Sequence, residues 1–308
     1  MTTARGLVRR ARSGFYTIET DDGDLVEARL RGRVKRDRQS SDLAVIGDRV
    51  ELERLSDGTG AIVAIEPRRS RFSRRQPGPR GAWREDVMVA NPDLVVIVFA
   101  CDRPPPNPRL IDRFLVVAEY NEVPPVIVAN KVDLIGTEAA KVRFGTYERI
   151  GYDVEFTSAK AGIGVDSLRG RLAGRLSIVT GPSGVGKSTL LNALQPGLQL
   201  ETGEVSEAEE GRGRHTTRHA ELHPLDGPAG GYVADTPGIR ELGLWEIPRS
   251  ELAWSFREFR EHLGSCAFND CTHVHEPRCG IRAAVDAGRI SAERYDSYRR
   301  LAAGNEAP

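Results

Sequence analysis

Apolar residues recur along this chain in three rhythms, and each predicts a different architecture. Up to about residue 85 the runs are short and alternating: Phe15-Tyr16-Thr17-Ile18, Leu25-Val26-Glu27-Ala28, Arg49-Val50-Glu51-Leu52 and Ala61-Ile62-Val63-Ala64-Ile65, with Asp22-Gly23 and Asp57-Gly58 between them. Short period-two strands separated by Asp-Gly turns predict a small β-barrel or sandwich. A five-stranded OB-type barrel fits the length, and such barrels commonly bind oligonucleotides. Arg68 to Arg84, rich in Arg, Gly and Pro, reads as a linker or a loop that contacts nucleic acid.

From residue 86 the strands become continuously apolar (Leu94–Ala100, Val126–Ala129, Leu176–Thr180, Tyr232–Ala234) and alternate with helical stretches at Arg109–Tyr120, Val165–Leu172 and Lys187–Leu194. That alternation predicts a parallel sheet with helices on its faces. Beyond about residue 245 the pattern turns helical, interrupted by a cluster of Cys and His. The expectation is a multidomain chain: an all-β OB-fold barrel over 1–85, an α/β domain over 86–245 and a mostly helical domain over 246–308.

Composition adds a location and a partner class. Of 308 residues 39% are hydrophobic and 29% charged, as in an ordinary globular protein. The longest apolar run, Leu94 to Cys101, is too short to span a bilayer. The basic start MTTARGLVRRARSG lacks the apolar stretch of a secretory signal. A cytoplasmic protein without membrane contact is therefore expected, and the lack of heptads or an exposed apolar stripe points to a monomer. Net charge is zero, yet residues 1–84 hold 19 Lys and Arg against 12 Asp and Glu. This surplus suggests a polyanion such as nucleic acid as partner, with a solvated surface an equal reading from charge alone.

The sharpest motif is Gly181-Pro182-Ser183-Gly184-Val185-Gly186-Lys187-Ser188-Thr189, which follows one predicted strand and opens a helix. That is the setting of a phosphate loop, whose glycines let backbone N–H groups turn toward phosphates at a helix N-terminus. Lys187 is expected on the β- and γ-phosphates and the Ser188 hydroxyl on Mg²⁺. The loop alone does not choose the base. Asn130-Lys131-Val132-Asp133 does: guanine offers N1–H and an N2 amine on one edge, which the Asp133 carboxylate can accept as a pair. Adenine has no such pair and would leave the carboxylate unmatched. The Asn130 amide is expected to reach the opposite edge of the guanine and to help hold the loops, and the Lys131 stem to lie over the base. In Thr157-Ser158-Ala159-Lys160 the amides of Ser158, Ala159 and Lys160 are expected at the guanine oxygen. No LSGGQ-like signature of a transporter ATPase is present.

The order of these motifs is permuted. The guanine motifs precede the phosphate loop, and Asp235-Thr236-Pro237-Gly238 follows it. Asp235 is expected to hold Mg²⁺ through water and the Gly238 amide to sense the γ-phosphate. Ile239 occupies the position at which Ras-like proteins have a water-orienting Gln. Gly211-Arg-Gly-Arg-His215-Thr216-Thr217-Arg218 supplies candidates in its place. His215 would position the attacking water, and Thr216 or Thr217 would ligate Mg²⁺, with Thr217 the choice carried forward.

Of four cysteines, three lie in Cys266-x4-Cys271-x-His273-x5-Cys279, while Cys101 reads as a small buried side chain. Three thiolates and an imidazole complete a tetrahedral set for structural Zn²⁺, with His275 an alternative to His273.

An N-terminal barrel, NKVD–TSAK–GPSGVGKST–GRGRHTTR–DTPG in permuted order and a Cys/Cys/His/Cys cluster together resemble the RsgA (YjeQ/EngC) family over nearly the whole chain. The resemblance implies an OB-fold, a circularly permuted P-loop GTPase domain and a C-terminal zinc domain. It also implies binding of GTP and GDP with Mg²⁺, and action on the small ribosomal subunit and its rRNA late in maturation, with hydrolysis stimulated by that subunit. Family members likewise lack the Gln and use a His in the first switch, matching His215. Two other readings remain open: a GTP-dependent switch with a non-ribosomal protein partner, and a zinc-dependent RNA-binding protein with a regulatory nucleotide site.

Overall fold

The structure is a computed structural model describing residues 3–32, 43–77, 83–199, 220–235 and 247–304; for 75–77, 83, 84 and 235 it describes the backbone only. The N-terminal strands β1 (Thr3–Arg12), β2 (Phe15–Thr20), β3 (Leu25–Leu30), β4 (Arg49–Arg54) and β5 (Gly60–Ile65) lie in the order β1-β2-β3-β5-β4, and β4 returns to pair with β1. The sheet thus closes into the expected five-stranded barrel. Alternation explains its core: Tyr16 and Ile18, Val26 and Ala28, Val50 and Leu52 point inward with Val8 and Ile62. The β1–β2 turn is Ser13-Gly14, with φ of 48° and 84°. Two successive positive φ values are what a two-residue type I′ hairpin demands.

The Arg-rich segment is not simply a linker. Most of it pairs as an antiparallel hairpin, β6 (Arg71–Pro77) with β7 (Trp83–Ala90). Its anchoring residues Phe72 and Val89 are fully buried in the core of the following domain, and Val87 is nearly so. Arginine and proline density obscures that alternation in the sequence. The hairpin also relocates the charge. Residues 1–66 hold 12 Lys and Arg and 12 Asp and Glu, whereas 67–84 hold seven Arg and no acid. The N-terminal surplus belongs to the hairpin segment, not to the barrel.

The central domain contains β8 (Leu94–Ala100), β9 (Pro125–Asn130), β10 (Asp153–Phe156), β11 (Leu176–Thr180), β12 (Ala220–Pro224) and β13 (Tyr232–Asp235), in the order β10-β9-β8-β11-β13-β12. All pair in parallel except β12, which is antiparallel to β13. Helices α1 (Pro108–Tyr120), α2 (Thr137–Arg149), α3 (Val165–Leu172) and α4 (Lys187–Leu194) cover the faces. Both faces of β8 are buried: Ile97 and Phe99 pack with Phe114 and Phe144, and Val96 and Val98 pack with Leu168 and Leu190. This is why its sequence is apolar at every position rather than at alternate ones.

Barrel and sheet are continuous. Past the barrel, β1 pairs with β12 at Arg10↔Glu221 and Ala11↔Ala220. A register shift between Val8 and Arg10 bends β1 at this point. Arg9, at the bend, donates from Nε to the Leu222 carbonyl (2.9 Å), pairs with Glu19 and lies over the Tyr232 ring.

The C-terminal domain comprises α5 (Arg249–Leu252), a 3₁₀ stretch Arg257–Ser265, α6 (Gly280–Asp286) and α7 (Ala292–Ala302). Phe256, Phe259, Ile281 and Tyr298 form its core, which Val116 of α1 completes. Arg294 of α7 crosses the junction. Its Nε lies 2.6 Å from Glu258 Oε1 and its Nη1 2.7 Å from Asp112 Oδ1 of α1, and all three side chains are at most 7% exposed. Asp112 also accepts from the Tyr147 hydroxyl at 3.0 Å. The two carboxylates hold the Arg294 guanidinium charged despite burial, well above its ordinary pKa. Glu119, further along α1, takes Arg257 and Arg260 at 2.9 and 2.6 Å. No helix among the described residues is long and apolar enough to cross a membrane. Removing one partner of a buried ion cluster strands the others. Arg294→Ala is therefore expected to lower stability by about 3–5 kcal/mol, read from urea unfolding followed by tryptophan fluorescence.

Candidate nucleotide site and metal centre

Parallel pairing places the C-terminal ends of β8, β9, β10, β11 and β13 on one edge of the sheet. Ligands of open α/β sheets bind at that edge. Asn130-Lys131-Val132-Asp133 leaves β9 there, Thr157-Ser158-Ala159-Lys160 leaves β10, the phosphate loop leaves β11, and Asp235 ends β13.

The first three are tied together by hydrogen bonds. Asn130 Nδ2 donates to the Val185 carbonyl of the phosphate loop at 3.0 Å, and Thr157 Oγ1 donates to Asn130 Oδ1 at 3.1 Å. Asn130 and Thr157 are buried, so these bonds satisfy groups that would otherwise be stranded. Lys131, at φ 63°, donates from Nζ to the Gly184 carbonyl at 2.7 Å and to the Arg103 carbonyl. Asp133 follows in a 3₁₀ turn, exposed at the edge. Ser158 is buried and its Oγ accepts from the Ala161 amide at 3.1 Å; Ala159 is half-buried and Lys160 exposed. What motif spacing did not specify is the pairing itself: Thr157 with Asn130, and Asn130 with the Val185 carbonyl.

Close approach dictates the glycines. A Cβ on Gly186, at φ 91°, would lie 2.7 Å from Asn130 Nδ2, and one on Gly181 would lie 2.1 Å from the Val98 carbonyl oxygen. Lys187 begins α4 and donates from Nζ to the Gly181 and Pro182 carbonyls at 2.7 and 2.5 Å, so its ammonium lies within the turn of the loop. Ser183 and Thr189 are exposed; Gly184 and Ser188 are half-buried, Ser188 in the first turn of α4. His215, Thr216, Thr217, Gly238 and Ile239 lie outside the described residues, as does the side chain of Asp235. Cys101 is buried, and desolvation pushes its thiol up to about 11, consistent with a packing role.

The second constellation lies in the C-terminal domain. Ligand atoms of Cys266, Cys271, His273 and Cys279 all fall within 4.8 Å of one another. Cys266 Sγ is 3.9 Å from Cys279 Sγ, and His273 Nδ1 is 3.4 and 3.5 Å from these two sulfurs. A tetrahedron with Zn–S of about 2.3 Å has S···S edges of about 3.8 Å, so the set fits zinc. His273 is buried and lies among the cysteines, whereas the His275 side chain is 81% exposed. Burial pushes the Cys271 thiol up to about 12 and holds the His273 imidazolium below its usual range. A bound cation would offset the cost of thiolates there. Glu276 braces the intervening loop, accepting from the Thr272 amide (2.8 Å) and hydroxyl (2.5 Å) and from the Val274 (3.1 Å) and His275 (3.2 Å) amides. Those donors keep its carboxyl far below the usual range, the Thr272 hydroxyl foremost. Tyr295 and Tyr298 of α7 donate to the His273 and Thr272 carbonyls at 2.8 and 2.6 Å.

Known proteins share both constellations' host folds. Residues 65–245 match the family described as RsgA GTPase, and residues 5–62 the family described as RsgA N-terminal domain. A relative from Gemmatimonas aurantiaca, named small ribosomal subunit biogenesis GTPase RsgA, is 46% identical over 302 residues, covering 97% of each chain. The crystal structure of YjeQ from Thermotoga maritima superposes with a TM-score of 0.79 at 35% identity and 98% coverage of both chains. That of YloQ, described as a circularly permuted GTPase, superposes with 0.73 at 30% identity, covering 100% of this chain and 97% of the other.

Two outcomes are expected. Asp133→Asn presents a donor where guanine needs an acceptor, so GTP affinity should fall on the order of 100-fold or more while xanthosine triphosphate gains; competition binding of the two nucleotides checks this. Elemental analysis should find one zinc per chain, and Cys279→Ser should remove it and loosen the C-terminal domain while leaving GTP affinity intact.

Proposed function

The chain belongs to the RsgA GTPase family, and on that premise we propose that it hydrolyses GTP on the small ribosomal subunit during that particle's maturation, stimulated by the subunit itself. It is a GTPase of the kind its relatives' name describes, a small ribosomal subunit biogenesis GTPase. The observation that carries the reading is the bond from Asn130 to the phosphate-loop carbonyl of Val185, which joins base and phosphate motifs that the chain order separates.

In this reading Asp133 takes the guanine N1–H and N2 amine, and the amides of Ser158, Ala159 and Lys160 meet the guanine oxygen. Lys131 lies along the base. The amides of Gly181 and of Ser183 to Lys187, with the Lys187 ammonium, hold the phosphates. Ser188, Thr217 (or its neighbour Thr216) and Asp235 would hold Mg²⁺, which when bound neutralises charge on the β- and γ-phosphates. The Gly238 amide meets the γ-phosphate. With Ile239 unable to orient water, His215 takes that role. The seven arginines of 67–84, rather than the barrel as a whole, supply most of the unbalanced positive charge toward rRNA, and association should weaken with salt. The protein acts as a monomer in the cytoplasm, with the zinc domain clamped behind the segment that follows Asp235.

The test compares GTP turnover with purified small subunits, large subunits and free RNA. Stimulation by small subunits alone is expected, and stimulation by none of them would favour a non-ribosomal protein partner. His215→Ala should keep GTP affinity and lower turnover on the order of 100-fold; unchanged turnover would remove His215 from the mechanism.

A further inference from the structure

Of the eight arginines on the described part of the barrel, six are ion-paired: Arg5 with Glu51, Arg9 with Glu19, Arg10 with Glu221, Arg31 with Glu53, Arg49 with Asp21 and Arg54 with Asp24. The two without a carboxylate partner among the described residues, Arg12 and Arg29, flank one residue. Register places Arg12 opposite Phe15 and Phe15 opposite Arg29, a row across β1, β2 and β3. Phe15 is 47% exposed, and the Arg29 guanidinium lies over its ring at 4.1 Å. The adjacent row on the same outer face, Arg10–Thr17–Glu27, is neutralised: Arg10 reaches Glu221 at 2.5 Å and the Thr17 hydroxyl donates to Glu27 at 2.6 Å. Uncompensated positive charge and an exposed ring thus coincide on one row, beside the Ser13-Gly14 turn.

We propose that Arg12, Phe15 and Arg29 form a subsite for an unpaired RNA nucleotide. The base stacks on the open face of the Phe15–Arg29 pair, and Arg12 meets an adjoining phosphate. An aromatic ring paired with guanidinium planes is how single-stranded RNA is held, because a splayed base offers its π-face. A duplex hides those faces, so the subsite selects single strands. The inference rests on the ribosomal reading only in taking RNA as the partner. It adds which part of the otherwise charge-balanced barrel touches RNA, and in what form. Arg12 lies one residue beyond the pairing with β12, so a nucleotide held here sits at the barrel's seam with the GTPase sheet.

The test uses the full chain and a fluorescently labelled single-stranded RNA of about ten nucleotides, with a duplex of equal length as competitor. Phe15→Ala and Phe15→Leu should each weaken binding about fivefold or more, without changing its salt dependence. Phe15→Tyr should bind within about twofold of the parent chain, because it keeps the ring face that stacks. Arg12→Gln should reduce the slope of log affinity against log salt by about 0.7. Retained GTP affinity in each variant verifies the fold. Wild-type affinity in Phe15→Ala and Phe15→Leu, equal competition by duplex, or no single-strand binding by the parent chain overturns the subsite. Small-subunit stimulation of GTP turnover, measured on the same preparations, reports separately: its absence in the parent chain overturns the ribosomal reading whatever happens at Phe15.

Discussion

The structure depends on one strand belonging to two sheets. β1 closes the barrel against β4 with its first half and caps the edge of the GTPase sheet at β12 with its second. An open β12 would present unpaired amides and carbonyls to any passing strand. Pairing it with β1 removes that liability and fixes where the barrel sits. Two ladder residues alone would make a weak hinge. Arg9 reinforces them by bonding the Leu222 carbonyl, pairing with Glu19 and covering Tyr232, whose hydroxyl also donates to Glu19. The bend at Val8–Arg10 is what lets Arg9 leave the barrel's pleat and serve the neighbouring domain.

A second clamp works from the other side. Permutation sends the chain from β13 directly into the C-terminal domain, which returns to dock on α1 through Val116, Asp112 and Glu119. A buried Arg with two carboxylates is not a cheap way to gain stability, since well-packed apolar residues often do as well. Its distinguishing property is intolerance of misalignment: a shift of α7 along α1 would separate Arg294 from Asp112 and strand both. The zinc-ligand cluster sits on the same helix, because Tyr295 and Tyr298 hold the loop carbonyls around His273. The loop of the candidate ligands, α7 and α1 therefore form one line of contacts from the candidate metal centre to the GTPase domain.

Features encoded by local residue identity were legible in the sequence. The phosphate loop, Asn130-Lys131-Val132-Asp133 and the four zinc-ligand candidates are each defined by spacing within a few residues, and the structure brings each set together. The barrel was legible from alternation and turn residues. What escaped were interactions between residues far apart in the chain. Arg9 with Leu222 and Arg294 with Asp112 are separated by 213 and 182 positions, and no local pattern marks them. The hairpin of 71–90 escaped for a different reason: its charged and turn-forming residues outnumber the three apolar ones that anchor it. Net charge over residues 1–84 misled similarly, because that window joins the charge-balanced residues 1–66 to the seven arginines of 67–84.

The same two clamps bear on hydrolysis. Within the described residues, the nucleotide edge is built for binding: Asn130, Lys131 and Lys187 are all fixed by backbone carbonyls of the phosphate loop or its neighbours. The residues proposed for hydrolysis lie in the two segments on either side of β12 and β13. Residues 201–219 end where β12 begins, and β12 is held by the barrel. Residues 236–246 lead into the domain held on α1. Each segment is thus tethered at one end to an accessory domain. A polyanion that engages the barrel or the hairpin pulls on a structure continuous with β12, while a force on the C-terminal domain acts at the opposite end of β13. Ile239 stands where a water-orienting Gln would be, and the proposed replacement, His215, belongs to the segment that precedes β12.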